Sequence, residues 1–225
     1  MANYPGATAT LKGCTFTGNT WYVIKNLGTL TMSGADLVQE HAGSSAIDNG
    51  WYGNKGNDLN LNYPSSASVS LTIEGGTFSG GMNTVKNDDF GVLTIEDGTF
   101  KNTVGAIVLN WHEATIHGGT FTLDNENYSV LSNGFLSDNA DKGKMTVTGG
   151  SFTAANGGKG SLLGFGGDSK KGGSLEITGG TFNGVIATDS RYPYTPSISG
   201  GTFNKEVDAK YLEQAEKVYN FIFNN

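Results

Sequence analysis

An all-β fold of stacked coils, a parallel β-solenoid, is predicted by three features of this 225-residue chain. A phrase of the form Ile-x-Gly-Gly-Thr-Phe occurs eight times, its copies are separated by steps of 21, 41, 22, 21, 31, 30 and 21 residues, and the runs between glycine-rich bends are too short for helices. The copies end at Phe16, Leu37, Phe78, Phe100, Phe121, Phe152, Phe182 and Phe203. The step of 41 residues fits either one coil with a large insertion or two coils with a degenerate phrase between them.

Each copy contains short β-branched or aromatic runs with one inward-facing apolar row. One coil alone cannot bury that row, whereas stacked coils can, because each strand then bonds to its equivalents at a spacing of about 4.8 Å. The register predicts an aliphatic column beside a phenylalanine column inside the protein. The Gly-Gly pair supplies the corner, since glycine reaches backbone angles that strain other residues.

A second, weaker phrase follows most copies, as in Val23-Ile-Lys-Asn26 and Thr84-Val-Lys-Asn87. Its terminal asparagines predict an internal ladder at a second corner, in which each side-chain amide bonds to neighbouring backbone. These asparagines are Asn26, Asn49, Asn87, Asn110 and Asn133. Extra residues mostly follow this phrase, so insertions cluster at one corner of the repeat.

The repeat ends before residue 206. Residues 206–219 bring Tyr211, Ala215 and Val218 onto one helical face, which predicts an amphipathic helix. An open solenoid end exposes core and unpaired backbone, so the helix is expected to cover it. We predict about eight or nine coils over residues 1–205 and a C-terminal cap segment over residues 206–225.

The Ile-x-Gly-Gly-Thr-Phe phrases and the asparagine-terminated strands resemble the right-handed parallel β-helix class, which includes pectin-lyase-like proteins. They resemble still more closely the "ISGGTF" repeat arrays of surface proteins of gut Firmicutes and their phages. The resemblance covers about residues 8–204 and implies a single-stranded right-handed parallel β-helix. That class contains lyases, hydrolases, phage tailspikes and adhesive stalks, so the resemblance leaves the activity open.

Composition argues against several function classes. A net charge of −7 with a single arginine, Arg191, provides no basic stripe for nucleic acid. Since there is no apolar run of 18 residues, no membrane insertion is expected. The first residues lack a charged and an apolar region, so the protein either uses no signal peptide or has lost one. One cysteine, Cys14, offers no disulfide framework and no thiolate metal site, and no cofactor is expected.

One outward column contains catalytic candidates. Glu74, Glu96 and His117 follow the aliphatic residue of three successive copies and are expected to stack about 5 Å apart. Neighbouring carboxylates raise one another's proton affinity, as a general acid requires, and a histidine beside them can transfer protons. The alternative interpretation is a solvated column with an incidental contact between glutamate and histidine.

A second cluster, Asp88 and Asp89, lies at the insertion corner. The pair matches one of the four motifs of the polygalacturonase-type hydrolases in the resembling class, and the other three are missing. It is therefore a weak catalytic and a weak divalent-cation candidate, and a merely solvated acidic turn is the alternative.

Aromatic residues also accumulate at the insertion corner. Their ring faces can stack on sugars or anchor a protein partner, and the alternative is that they pack beneath their own loops. The predicted ligand-binding residues are Trp51, Tyr52, Phe90, Trp111, Tyr192 and Tyr194.

These features favour a non-enzymatic structural or binding solenoid that is displayed on a surface. The expected setting is a phage virion, as a fibre, spike or capsid decoration, with a loop edge that binds a glycan or a host protein surface. Other virion proteins and further copies of the chain are additional expected partners. The alternatives are a polysaccharide hydrolase or lyase and a secreted bacterial adhesin, so the expected location is the virion or the outside of a cell.

Overall fold

The structure is a computed structural model with side chains. It describes residues 1–18, 20–52, 59, 61–134, 143–164, 173–186 and 196–212.

Twenty-one strands make up most of the described chain. The first eleven are β1 (Ala2–Asn3), β2 (Thr8–Lys12), β3 (Thr15–Gly18), β4 (Ile24–Asn26), β5 (Thr29–Gln39), β6 (Ile47–Asn49), β7 (Val69–Gly80), β8 (Val85–Asn87), β9 (Gly91–Ile95), β10 (Thr99–Asn102) and β11 (Val108–Asn110). The others are β12 (Glu113–Ile116), β13 (Thr120–Leu123), β14 (Ser129–Asn133), β15 (Lys144–Val147), β16 (Ser151–Thr153), β17 (Ser161–Gly164), β18 (Ser174–Ile177), β19 (Thr181–Asn183), β20 (Ser197–Ile198) and β21 (Thr202–Phe203). One helical turn, α1 (Ala155–Gly158), and one 3-10 turn (Ala209–Tyr211) accompany them, so the all-β prediction is confirmed.

The strands form two long parallel sheets. The first sheet has seven strands in the order β1-β4-β6-β8-β11-β14-β17, and all of them except the two-residue β1 belong to the second phrase of a repeat. The second sheet contains the other fourteen strands in two arms, which are joined because β5 and β7 run through both. Strand β5 pairs directly with β7, with Leu37 opposite Phe78, so the step of 41 residues is one repeat with an insertion.

The predicted inner columns are confirmed by the register of the second sheet. Ile73 pairs with Ile95 and Ile95 with Ile116, while Phe100 lies between Phe78 and Phe121. Consecutive phenylalanine rings from Phe78 to Phe203 stack with centroids 4.7 to 5.0 Å apart. Burial of one such side chain stabilises the fold by about 1.5–3 kcal/mol, so this column accounts for much of the core.

The corner between the two arms requires glycine. Gly119 has φ = +104°, and a Cβ at Gly118 would lie 2.4 Å from the carbonyl oxygen of Glu96 in the repeat below. Neighbouring repeats could not approach to their pairing distance with a side chain at that position. The repeated Gly-Gly pair therefore follows from the close approach of the backbones.

The predicted asparagine ladder is also confirmed, and it begins one repeat earlier than expected, at Asn3. The side-chain amide of each asparagine donates to the side-chain oxygen of the next, over 2.6 to 2.8 Å, from Asn3 to Asn133. The same amides donate to backbone carbonyls, as Asn87 does to Gly91 and Glu113. Because these buried polar groups satisfy one another, the ladder aligns the ends of the first-sheet strands.

The described part of the C-terminal segment, residues 206–212, differs from the helix predicted over residues 206–219. There, one 3-10 turn precedes Leu212, which is extended and forms a parallel bridge with Ile198. An extended residue supplies the backbone partner that the last strand of the sheet needs, and a helical residue would not. Val207 and Tyr211 are buried against the end of the core, as a cap requires, and residues 213–225 lie outside the described part.

Candidate functional site

The main candidate site is a groove of about 380 Å³ on the outer face of the first sheet. We call it the aromatic groove and define it by its lining residues: Trp21, Tyr22, Lys25, Gly43, Ser44, Ser45, Tyr52, Met82, Asn83, Lys86, Leu109 and Trp111. Residues that lead into β4, β6 and β8 form one wall, and Tyr52 and Trp111, which follow β6 and β11, form the other. Four successive repeats therefore build one site.

The floor of the aromatic groove is a column of charged strand residues. Lys25 of β4, Asp48 of β6 and Lys86 of β8 are paired in register, and their neighbours Ile24, Ile47 and Val85 face the core. Because side chains alternate along a strand, the charged residues lie on the outer face. The two ammonium groups line the groove, whereas Asp48 has no exposed surface beneath them.

Ion pairs link this column. Lys25 Nζ donates to Asp48 Oδ1 over 2.8 Å, and Lys86 Nζ donates to Asp88 Oδ2 over 2.9 Å. Lys86 Nζ is also 3.8 Å from Asp48 Oδ2. All four side chains are at least nine-tenths buried, so their charges attract one another strongly.

Aromatic rings flank both ammonium groups. Lys86 Nζ lies 4.1 Å from the ring centroid of Tyr52 and 4.6 Å from that of Trp111, and these two centroids are 6.0 Å apart. Lys25 Nζ lies 5.4 Å from the Tyr22 ring, which is adjacent to the Trp21 ring. Such cation–π contacts hold the rings on both sides of the floor and keep the groove open between them.

The two carboxyl groups behind the floor differ in proton affinity. Burial and the negative charge of Asp48 raise the pKa of Asp88 to about 7, although Lys86 and Lys25 partly oppose the rise. Burial also acts to raise the pKa of Asp48, but the ammonium groups of Lys25 and Lys86 overcome it and lower that pKa. Asp48 therefore carries the negative charge near neutral pH, and Asp88 gains and loses a proton there.

The raised pKa of Asp88 predicts a pH dependence of stability. Folded Asp88 holds its proton up to about pH 7, whereas unfolded Asp88 releases it near pH 3.8, so the folded state binds more protons between these values. The free energy of unfolding should fall by about 1.4 kcal/mol for each pH unit from roughly pH 5 to pH 7 on account of this group. Urea unfolding at several pH values should show this slope in the native protein and a flatter curve in Asp88→Asn. An unchanged slope in the variant would assign the effect to other groups.

The predicted ligand-binding aromatic residues divide into three groups. Tyr52 and Trp111 line the aromatic groove, and Tyr52 is 40% exposed. Trp51 and Phe90 belong instead to a separate cluster with Leu27, Val69 and residues of the 59–67 segment. Trp51 is only 4% exposed, and Leu61 and Tyr63 pack against its cluster, so little of its ring is accessible. Tyr192 and Tyr194 lie outside the described residues.

The predicted column of Glu74, Glu96 and His117 is exposed; Glu74 lies within β7, and Glu96 and His117 directly follow β9 and β12. Glu74 lies at a register shift between β5 and β7, and His117 Nδ1 is 2.9 Å from the hydroxyl of Thr148 in the next repeat. The three side chains thus share an open, solvent-exposed surface of the second sheet.

Asp88 and Asp89, the predicted acidic pair, have different hydrogen-bond partners. Asp88 bonds to Lys86 in the charged column, whereas Asp89 accepts a hydrogen bond from the Tyr63 hydroxyl and its backbone bridges Trp51. Among the residues that the structure describes, no group of three or more His, Cys, Asp or Glu side chains could hold a metal ion. Asp88 therefore belongs to the charged column, whereas Asp89 belongs to the cluster around Trp51 and Tyr63.

Five residues of the site escaped sequence reasoning: Trp21, Tyr22, Lys25, Asp48 and Lys86. The last three occupy the middle position of Ile-Lys-Asn, Ile-Asp-Asn and Val-Lys-Asn, so their alternating charge at one repeat position was the available signal. Trp21 and Tyr22 come before the second phrase, on the opposite side from the insertion corner. Their signal was weaker, because no other repeat has an aromatic pair there.

Comparison with protein-family models, curated proteins and solved structures finds no match to this chain. Within the described residues, none of the helices has the length and apolar character needed to cross a membrane. The function is therefore argued from the geometry of the site.

Proposed function

We propose that this protein is a non-enzymatic saccharide-binding parallel β-helix that is displayed on a surface, and that the aromatic groove is its binding site. The observation that carries the proposal is the opposition of two aromatic pairs, Trp21 with Tyr22 and Tyr52 with Trp111, across a polar floor. Rigid rings on both sides of a groove give large contact areas at little entropic cost.

The β-helix architecture is supported by the strand pairing. Every pair of named strands is parallel, and within the described residues each repeat pairs with the repeats before and after it. One continuous core cluster lies between the first sheet and both arms of the second. The right-handed winding is proposed from the resemblance of the repeat phrases.

The chemistry of the groove matches that of a sugar ring. Its aromatic walls suit the apolar C–H face of a pyranose, while Ser44, Ser45 and Asn83 bring hydroxyl and amide groups to one side. The lysine ammonium groups add charged donors for hydroxyl or carboxylate oxygens. Trp21 is 49% exposed and Tyr52 is 40% exposed, so ring faces are accessible to a ligand.

Binding is favoured over catalysis by the accessibility of the titratable groups. Asp48 and Asp88 have no exposed surface, so neither carboxyl group can reach the oxygen of a glycosidic bond, as an acid in a hydrolase must. Glu74, Glu96 and His117 are exposed on the other sheet and are not among the residues that line the aromatic groove. A hydrolase or lyase thus has weaker support than a binding protein.

We further propose the virion of a phage as the setting, with the protein acting as a fibre, spike or decoration that attaches to host glycans. This part rests on the resemblance to repeat arrays of gut Firmicutes and their phages. A secreted bacterial adhesin uses the same groove in the same way. Neighbouring genes for capsid or tail proteins would favour the phage, and an export signal or wall anchor would favour the bacterium.

Substitution of two exposed aromatic residues tests whether the aromatic groove binds the saccharide. Trp21→Ala and Tyr52→Ala should each weaken binding of the strongest saccharide on a glycan array by about tenfold, because each removes one stacking face. The affinity is read by titration of tryptophan fluorescence or by calorimetry. Both changes should leave the melting temperature nearly unaltered, since the rings are half exposed.

Tyr128→Ala is the matched control, because Tyr128 is 47% exposed and lies outside the aromatic groove. It should bind like the native protein. If all three variants bind with the affinity of the native protein, the saccharide binds outside the aromatic groove. If no saccharide on the array binds, the proposed function is contradicted.

A further inference from the structure

The groove lining and the protein as a whole have opposite charge. The chain carries a net charge of −7, yet the only charged residues among those that line the aromatic groove are Lys25 and Lys86. The carboxylates that compensate them, Asp48 and Asp88, lie behind the floor without exposed surface. A ligand in the groove therefore meets two ammonium groups and no carboxylate among the described lining residues.

The two compensating carboxyl groups have one feature in common. Asp48 Oδ2 and Asp88 Oδ1 are buried oxygens without a hydrogen-bond donor in the described part of the protein. Both carboxyl groups lie against the same ammonium group, since Lys86 Nζ is 2.9 Å from Asp88 Oδ2 and 3.8 Å from Asp48 Oδ2. One proton placed between them gives both oxygens a partner, because a protonated carboxyl group donates to an ionised one.

We propose that Asp48 and Asp88 share one proton behind the groove, and that this proton gives the groove a preference for anionic saccharides. The inference rests on the proposed saccharide-binding function. With the proton in place, two ammonium groups face one carboxylate, so the floor carries a net charge of +1. Without it, two carboxylates neutralise both ammonium groups, and the floor carries none.

The groups that face this pair account for the charge. Lys25 of β4 and Lys86 of β8 flank it, and Tyr52 lies over Lys86 with its ring. Asp89 is the neighbour of Asp88 in sequence, but its carboxylate bonds to Tyr63 in the separate cluster. The proton affinity of Asp88 falls in the neutral range, so ordinary changes in pH switch the floor between its two charges.

Asp48 and Asp88 are thus specificity-determining residues that act through the lysines and do not touch the ligand. An anionic group at Lys25 and Lys86 favours the protonated pair, and the bound complex takes up a proton from solution. Carboxylated and sulfated saccharides share the required charge. Both remain ionised over pH 5.5 to 8, so any pH dependence reports the protein.

The test compares an array of neutral saccharides with their sialylated, uronate-containing and sulfated counterparts at pH 5.5 and pH 8. The anionic members should bind about fivefold more tightly at pH 5.5 than at pH 8, which is the change expected if binding raises the pKa of the pair by one unit from about 7. Their neutral counterparts should show no such change. The carboxylated and sulfated arms identify which anion the groove takes.

Calorimetry of the strongest anionic saccharide in two buffers with different ionisation enthalpies measures proton uptake in the native protein, without any variant. Net uptake at pH 7 is expected. Asp88→Asn keeps the shape of the side chain without its charge, so it should bind the anionic saccharide tightly at both pH values.

Four results would overturn the inference. Equal affinity for neutral and anionic members at both pH values would remove the charge preference but leave saccharide binding intact. Zero proton uptake, or an unchanged pH dependence in Asp88→Asn, would remove the shared proton. Binding of no saccharide at all would overturn the proposed function together with this inference.

Discussion

Replacement of Phe121 by alanine is expected to lower the free energy of unfolding by about 3–5 kcal/mol. Phe121 is fully buried, and its ring centroid lies 4.7 Å from those of Phe100 and Phe152. The cavity cannot close, because both neighbouring backbones are fixed at the spacing of the parallel strands. Urea denaturation followed by circular dichroism measures the loss.

Phe16→Ala is the matched control in the same column. Phe16 occupies the first repeat, is only partly buried and pairs on one side alone, with Leu37. Its truncation should lower the free energy of unfolding by about 1 kcal/mol. Similar losses for the two variants would mean that the inner stack contributes no more than a residue at the end of the fold.

The second large effect is expected from Asp48→Asn. This change leaves Lys25 and Lys86 buried with only Asp88 to compensate them, and removal of one member of a buried ion pair costs about 3–5 kcal/mol. Part of that loss should be offset, because Asp88 no longer faces a second negative charge and ionises more readily. We expect a net loss of about 3 kcal/mol at pH 7.

A second readout separates this effect from general damage. The pKa of Asp88, followed by carbon-detected NMR of its carboxyl group, should fall from about 7 in Asp48→Asn. Glu113→Gln is the control, since the ion pair of Glu113 with Lys144 is exposed and should contribute at most about 1 kcal/mol. An unchanged pKa of Asp88 would contradict the coupling of the two carboxyl groups.

The columns of the fold were predictable because stacking turns a repeat in sequence into a contact in space. Phe78, Phe100 and Phe121 occupy one repeat position, so parallel pairing in register must bring them together, and the same reasoning predicted the asparagine ladder. Asn3 was missed since the first strand is only two residues long and carries no complete phrase.

Residues that are not repeated were harder to assign. Trp51 begins an insertion, and whether its ring faces solvent depends on how residues such as Leu61 and Tyr63 fold back. No periodicity governs that choice, so the burial of the Trp51 ring could not be predicted from the sequence. The predicted helix is also not formed at Leu212. The unpaired edge of the sheet outweighs the helical pattern there, and Leu212 pairs with Ile198 instead.

The aromatic groove contains both repeated residues, which are predictable from the sequence, and residues that are not repeated. Its floor follows from register, since Lys25, Asp48 and Lys86 share one repeat position, whereas its walls come from turns with no counterpart in other repeats. Charge alternation at a single repeat position is the signal that would have revealed the floor. The walls depend on the structure, which brings Trp21 and Tyr22, before β4, and Trp111, after β11, to the same face.

A crystal structure of the protein with the strongest saccharide from the glycan array tests the central claim most directly. The account predicts a sugar ring between Trp21 and Tyr52, within hydrogen-bonding distance of Lys25 or Lys86. A saccharide bound on the open face of Glu74, Glu96 and His117, with the aromatic groove empty, would contradict it.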